Sequence, residues 1–337
     1  MRGGGTVAWT DLITICIPTH RRPSMLLHCL HSCLVQDYRP LEIDISDNSP
    51  DDTTGALVAS VAPPEGVAIR YWRNAPAIGP IDNQRKLFAA VRGHRFVYMN
   101  DDDVLLPGAV RAMAEAFALA PDVVITYGRE QIINPAGELL PEASRRANAE
   151  CGRVAAWAGL HRDLLVAAFR GQISHIGFLV QTAAARAVGI RDRAEVGLAG
   201  DTDFAIRLGQ AYRGAAYVFV DRAIFATRRA SASLSQTAPD VGWKLYQEVA
   251  GMAGLSAEEA GARDQLLRKL APLTLREHSL AGRRREALRV LLSPTYPHDR
   301  GLVRSAYAAG LLAVPRLAYA LRRLARDPLG QAGDQAG

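Results

Sequence analysis

The sequence predicts an α/β protein whose largely parallel sheet is flanked by helices on both faces and followed by a helical extension. Three observations carry that expectation. Apolar runs of strand length alternate with stretches of helical period through the first 130 residues, the rhythm of parallel strands joined by crossover helices. Polar clusters follow the apolar runs rather than precede them, as ligand-contacting loops do beyond the carboxyl ends of parallel strands. The 337 residues are 49% apolar and 22% charged, which is material for one large core with an annex.

Taken in order, "LITICIP" (12–18) reads as a short buried strand and "PSMLLHCLHSCLVQ" (23–36) as the helix that follows it. "LEIDISDNS" (41–49) is a second strand, Thr53 to Val61 a helix, and "VAIRYWRN" (67–74) a third strand. A helix from Ile81 to Arg92, a strand over 96–100, a helix over 107–119 and the strand "VVITYG" (123–128) continue the alternation. "RVAAWAGLHRDLLVAAFRG" (153–171) has the spacing of one amphipathic helix, and "ISHIGFLV" (173–180) reads as a strand. From about Ser256 the chain is helical and basic, and the closing "GQAGDQAG" has the composition of a disordered tail.

The polar tips are Thr19-His20-Arg21, Asp47-Asn48-Ser49, Arg73-Asn74 and the triplet Asp101 to Asp103. Four such tips on one sheet edge describe a cleft. Three adjacent carboxylates repel and raise one another's pKa, so a cation is expected beside them. Carboxylates are hard oxygen ligands suited to Mg²⁺ or Mn²⁺ that neutralises a phosphate. The alternative use of Asp103 is to cap the helix that follows. No G-x-G-x-x-G follows the first strand and no G-x-x-x-x-G-K-[ST] occurs, which excludes the usual dinucleotide and P-loop cradles.

Four cysteines do not make a disulfide framework. His28, Cys29, His31 and Cys33 cluster, but their spacing fits no standard structural zinc site, and Leu26, Leu30, Cys33 and Leu34 form an apolar stripe. The formal charge of +6 is arginine-driven and concentrated between Arg276 and Arg326. That pattern points to an anionic partner, a membrane surface or a phosphate-bearing substrate, and no motif accompanies it that would indicate nucleic acid. With no signal-like opening, the expected home is cytoplasmic, peripheral at the inner face of the membrane. The apolar run from Ser305 to Pro315 is too short to span a bilayer.

Four segments in order, "ITICIPTHRR", "LHSCLVQDYRPLEIDISDNSPDDTT", "NAPAIGPIDNQRKLFAAVRGHRFVYMNDDDVLLPG" and "VGLAGDTDFAIRLGQAYRG", resemble an inverting glycosyltransferase of the GT-A fold, family 2. The resemblance covers the first 235 or so residues. It implies that Pro18, Thr19 and Arg21 meet the nucleotide, that Asp47 contacts its base or ribose, and that Asn83 contacts base or diphosphate. Asp101 to Asp103 match the D-x-D region. Placing Asn100 at the first acid makes Asp102 the principal metal ligand with Asp103 beside it and Asp101 toward the ribose; the register Asp101-x-Asp103 also satisfies the pattern. The cofactor so implied is Mn²⁺ or Mg²⁺.

The resemblance also makes Asp201 the general base, with Gly200 where the family carries a first acid; Asp203 suits the helix dipole. As a bare sequence feature, Asp201 is equally an N-cap. The histidine that family members place after the base helix is absent from "FATRRASASLSQ", where Arg228 and Arg229 offer bidentate pairing to a diphosphate instead. Asp44, in mid-strand where the family is apolar, has no explanation at this level. Trp157, His161 and His175 are candidate acceptor contacts, each competing with an ordinary place in the core or on a helix surface.

The implied organisation is a nucleotide-sugar binding half (1–105), an acceptor-binding and catalytic half (106–240), a basic helical extension (241–326) and a disordered tail (327–337). The implied reaction moves a sugar from a UDP- or dTDP-type donor to a hydroxyl acceptor, lipid-linked or part of a cell-surface polysaccharide. Alternatives are glycosylation of a small secondary metabolite and a nucleotide-sugar binding protein without turnover. A nucleotidyltransferase is disfavoured because "PTHRRPSM" lacks the glycine-rich loop such enzymes use.

Overall fold

A computed structural model describes residues 11–197, 199–229, 242–298 and 302–319, with the side chains of 302–305 left aside. The chain forms two compact units, one running through Asp192 and resuming over Gly200–Ser233, the other made of Arg193–Ala199 and the chain from Leu234 onward.

The first unit opens with β1 (Ile13–Thr19), α1 (Pro23–Leu34), β2 (Leu41–Asp47), α2 (Thr53–Ala59), β3 (Val67–Arg73), α3 (Pro80–Ala90) and β4 (Arg95–Tyr98). These strands and helices lie within a residue or two of the expected segments. The four strands are parallel in the order β3-β2-β1-β4, with Ile15 of β1 opposite Ile43 of β2 and Val97 of β4. Chain order reverses between β1 and β4, and in such sheets that crevice is where ligands bind. Proline in the first turn starts both α1 and α3, where a missing N–H costs nothing. Leu26, Cys29, Leu30, Cys33 and Leu34 bury one face of α1, which turns His28 and His31 outward and accounts for the cysteines as core.

The rest of the unit is β5 (Val104–Leu105), α4 (Ala109–Phe117), β6 (Val123–Ile133), α5 (Pro141–Glu150), β7 (Gly159–His161), α6 (Leu164–Arg170), β8 (Phe178–Gln181), α7 (Thr182–Val188), α9 (Gly200–Ala211) and β9 (Ala216–Arg228). Here the sheet becomes mixed. β8 runs antiparallel between β4 and β6, β9 returns parallel to β6, and β5 and β7 pair antiparallel with opposite ends of β9.

The single helix expected over 153–171 does not form. Gly159 sits at φ +108°, outside the helical region, and the segment joins the sheet as β7, with Gly159 opposite Phe219. The helix begins only at Leu164, where the Asp163 carboxylate accepts from the Val166 N–H at 3.1 Å. Pairing along β9 outweighed a helical spacing that was real but not decisive. β8 likewise starts late, because Gly177 occupies a left-handed turn at φ +69° where a Cβ would lie 2.1 Å from the Phe225 ring.

Asp44 has its explanation in the sheet. It is fully buried and lies opposite Arg70 of β3, whose guanidinium grips both its oxygens, Nε to Oδ1 at 2.7 Å and NH2 to Oδ2. The same guanidinium reaches Glu42 at 3.1 Å and the Ala90 carbonyl at 2.8 Å. Burial pushes the Asp44 carboxyl up to about 6, against the pull of Arg70. The polar stripe of β2 is thus a buried charge network under α3.

The second unit contains α8 (Arg193–Val196), α10 (Trp243–Ala250), α11 (Ala257–Leu280), α12 (Arg284–Leu291) and α13 (Leu302–Ala313). Ser256 and Glu259 form a capping box that starts α11, with bonds of 3.2 and 2.7 Å. The Glu277 carboxylate accepts from the N–H groups of Gly242 and Trp243 at the start of α10, at 3.3 and 3.0 Å. Among the described residues no helix is long and apolar enough to cross a membrane.

Candidate functional site

The four expected polar tips meet at the carboxyl edge of the parallel strands, and the contacts between them are specific. At the β1/β4 crevice the Thr19 hydroxyl donates to Asp101 Oδ2 at 2.7 Å. Arg22, one residue before α1, reaches Asp101 at 3.2 Å and Asp102 at 2.9 Å. Beneath this loop, α1 holds the backbone of 100–110. Cys29 Sγ donates to the Asn100 carbonyl at 3.2 Å, Ser32 Oγ accepts from the Leu105 N–H at 3.0 Å, and Gln36 bonds the Leu106 carbonyl and the Val110 N–H.

The three aspartates have different surroundings. Asp103 is buried; Oδ1 accepts from the Arg228 backbone N–H at 2.9 Å and Oδ2 from Asn100 Nδ2 at 3.1 Å. Burial, then the charge of Asp102, pushes its carboxyl up to about 6. Asp101 is buried too and is raised by burial, with Thr19 and Arg22 pulling the other way. Asp102 is the open one, its side chain 25% exposed. Two buried carboxylates whose charge is unwelcome flank a third that faces the crevice.

The residues expected on the nucleotide side form a second network. Asp47 Oδ1 accepts from the Ser49 N–H and hydroxyl at 2.7 and 2.6 Å, and Oδ2 from the Tyr71 hydroxyl at 2.8 Å. Ser49 Oγ in turn accepts from the Arg21 N–H at 2.9 Å, which holds Arg21 at φ +55° with its side chain exposed. Asn83, buried in the first turns of α3, donates to the Ser46 carbonyl and accepts from Asn74 Nδ2, both at 3.0 Å. Asn74 also donates to Asn48, and Asn48 Nδ2 holds the Ile78 carbonyl. Pro18 lies in β1 opposite Ser46.

Arg228 and Arg229 end β9 beside the triplet. Arg228 Nε bonds the Asp102 carbonyl at 3.1 Å and NH1 the Pro135 carbonyl at 2.9 Å, so its guanidinium is engaged with the backbone; the Arg229 side chain is exposed. His175 arrives from a different segment, with Nε2 2.9 Å from Asn100 Nδ2. Since Asn100 Nδ2 also donates to Asp103, His175 Nε2 is the acceptor there. Gly177 fixes that segment by donating to the Tyr98 carbonyl at 3.0 Å. Trp157 and His161 belong elsewhere. His161 is opposite Tyr217 near the start of β9, some eleven residues or about 35 Å of strand from Arg228.

Asp201 lies in the first turn of α9 and is exposed. Two residues on, Asp203 is buried and paired with Arg191 at 3.1 Å and Arg207 at 2.8 Å. Phe204 stacks on Phe178 of β8 and meets Phe88 of α3 edge-on, both at 6.1 Å, which anchors the helix to the sheet. No hydrogen bond or ion pair among the described residues joins Asp201 to either network. Arg22 and Tyr71 were not singled out in the sequence, and Ser49 only as part of the tip after β2; Arg22 left a signal as the second arginine of "THRR".

A divalent cation fits this donor set in a particular way. Among the described residues no three His, Cys, Asp or Glu side chains converge as a closed metal cage. Mg²⁺ and Mn²⁺ sites that take one or two carboxylates and complete themselves with substrate phosphates need none. Asp102, partly exposed between two buried acids and paired with Arg22, has the surroundings such an anchor needs.

The sheet order, the crevice at the β1/β4 switch and the acidic triplet define a GT-A glycosyltransferase fold. Residues 14–160 match the model of glycosyl transferase family 2. This segment is a family 2 glycosyltransferase domain. MT1568 of Mycobacterium tuberculosis, an uncharacterized protein, is 32% identical over 106 residues, 32% of each chain. The GalNAc(5)-diNAcBac-PP-undecaprenol beta-1,3-glucosyltransferase of Campylobacter jejuni is 28% identical over 104 residues, 31% of this chain and 33% of that one. The matches span about a third of these curated relatives. Among solved structures, S. aureus TarS in complex with UDP-GlcNAc superposes with a TM-score of 0.60 at 13% identity, covering 93% of this chain and 91% of that one. The mannosyltransferase PcManGT of Pyrobaculum calidifontis, in complex with GDP-Man and Mn²⁺, gives 0.56 at 14% identity, covering 95% and 89%. At such identities the likeness is one of fold.

Proposed function

We propose that this protein is a metal-dependent inverting glycosyltransferase that moves a sugar from a UDP- or dTDP-type donor to a hydroxyl of a lipid-linked acceptor. The observation that carries the reading is the triplet at the β1/β4 crevice, where buried Asp101 and Asp103 hold the loop and leave Asp102 open. Asp102, with Asp103 behind it, would hold Mn²⁺ or Mg²⁺. Such a cation, bound there with the donor, would supply the positive charge that a departing diphosphate calls for.

The chain's own groups supply the rest. Thr19, Pro18 and Arg21 border the nucleotide, with Asp47 and Asn83 behind them toward base and ribose. Arg229 is the free guanidinium for the diphosphate, while Arg228 serves mainly to brace the Asp102 and Asp103 loop. Asp201 takes the proton from the acceptor hydroxyl as that oxygen attacks the anomeric carbon from the face opposite the leaving group; the glycosidic bond forms as the bond to the diphosphate breaks, and configuration inverts. The undecaprenol-linked acceptor in the name of the Campylobacter relative favours a lipid-linked hydroxyl over a small metabolite, and the basic helices suit contact with the membrane that carries it.

The test is release of nucleoside diphosphate from a panel of nucleotide sugars with Mn²⁺ and a polyprenyl diphosphate-linked glycan. Transfer that requires metal and acceptor supports the reading; donor binding with no release under any acceptor would leave a nucleotide-sugar binding protein.

A further inference from the structure

The arginines of α12 are deployed differently from many of those in the first unit. Residues 276–326 contain eleven arginines and three acids, a net of +8 in a chain whose total is +6, so the remaining residues carry −2. In the first unit, several exposed arginines sit on carboxylates: Arg111 on Asp37 at 2.8 Å, Arg146 on Glu150 at 2.7 Å, Arg162 on Asp122 at 2.6 Å. On α12 they do not. Arg284, Arg285 and Arg289 are exposed and have no ion pair or hydrogen-bonded side-chain partner among the described residues.

The same helix exposes leucines among those arginines. Ala287 and Val290 bury its inner face. Opposite them, Arg285, Leu288, Arg289 and Leu292 recur at i, i+3, i+4 and i+7, one continuous stripe on a helical surface. Leu288 is 46% exposed, and Leu292, at 71%, is the most exposed large apolar side chain among the described residues. The last described turns repeat the composition, with Val314 and Leu317 more than half exposed on either side of Arg316. Glu286, the acid of α12, is half-buried and off the stripe.

Unpaired guanidinium groups call for an anion; bare leucines between them call for an apolar medium. A soluble polyanion satisfies the first demand only. An anionic bilayer satisfies both, taking the leucines at the acyl boundary and the arginines at the phosphates. We infer that the Arg285–Leu288–Arg289–Leu292 face of α12 docks on an anionic phospholipid surface. This deepens the membrane-facing part of the proposed function by naming the face, and it stands apart from the catalytic groups.

The experiment is co-sedimentation of the full chain with vesicles of phosphatidylcholine mixed with phosphatidylglycerol and, separately, of phosphatidylcholine alone. Wild type should bind the anionic vesicles, release them as salt rises, and ignore the neutral ones. Arg285→Gln with Arg289→Gln should weaken binding about thirtyfold, at about fivefold per arginine, and Leu288→Ser with Leu292→Ser should weaken it as well, with the melting temperature of both pairs unchanged. Equal binding to neutral vesicles, or arginine variants that bind as wild type, would overturn the inference. So would a leucine pair that binds normally, which would point to a soluble polyanion. Nucleoside diphosphate release by the same variants, assayed without vesicles, should match wild type; if vesicle binding holds and no release occurs at all, the catalytic reading fails and this one stands.

Discussion

Asp103 and Asp201 are both acids at the ends of secondary structure, and the protein treats them in opposite ways. Asp103 is buried, bonded through each oxygen and pushed up to about 6 by burial. Asp201 is exposed in the first turn of a helix whose other acid, Asp203, is the one tied to arginines. Around the triplet the polar groups have been spent on one another; Asp201 is a group left unspent. The contrast predicts that substitutions on the two sides divide between stability and rate.

The largest effect should follow Asp201→Asn. Transfer should fall about a thousandfold, within the range general bases contribute, while donor affinity and melting temperature stay at wild type. Steady-state kinetics beside donor titration reads the split, and a fall in melting temperature would place Asp201 with the framework.

Arg70→Leu probes the framework at its deepest point. It strands Asp44 in the sheet, leaves Glu42 with only the more distant Arg92 as cation, and should cost roughly 3 to 5 kcal/mol at neutral pH, the range for an orphaned buried charge. The sign of its pH dependence follows from Asp44. Its folded pKa, about 6, lies above the ordinary aspartate value, so the folded state holds a proton between about pH 4 and 6 that the unfolded chain lacks. Stability from that group is greatest at low pH and is lost as pH rises through 6. Without Arg70 the Asp44 carboxyl rises further, so denaturant titrations should show the deficit shrinking from pH 7 to pH 5.

Asp102→Asn should lower donor affinity in Mn²⁺ by at least about a hundredfold, since even groups outside a metal's immediate ligands command that range, with little loss of stability because the side chain is partly exposed. Thr19→Val should do the reverse. It removes the hydroxyl from a buried carboxylate and should cost about 1 to 3 kcal/mol in stability, with a smaller loss of donor affinity, measured by thermal melts with and without nucleotide.

The framework was largely legible in the sequence, the region beyond Asp103 much less so. In β1 through β4 each strand carries enough apolar residues to be recognised and is followed by polar ones, and position after a parallel strand is enough to place Thr19, Asp47, Asn74 and Asp101 on one edge. What the pattern lacked were pairings between distant positions, such as Arg70 opposite Asp44, which depend on strand register. Beyond Asp103 the sheet turns mixed, and neighbours are set by antiparallel partners and left-handed glycines. Gly159 and Gly177 redirect the chain where helical or strand spacing alone would continue it, so the approach of His175 to Asn100 could not be read from spacing, and the 153–171 helix was expected where β7 and a short helix stand.

The most direct test of the central claim is a thermal melt of wild type and Asp102→Asn against UDP, dTDP and GDP, each with and without Mn²⁺. A cation at the triplet bridging a nucleotide diphosphate predicts stabilisation of wild type by UDP or dTDP only when Mn²⁺ is present, and its loss in the variant. Stabilisation that is the same without metal, or undiminished in Asp102→Asn, would contradict it.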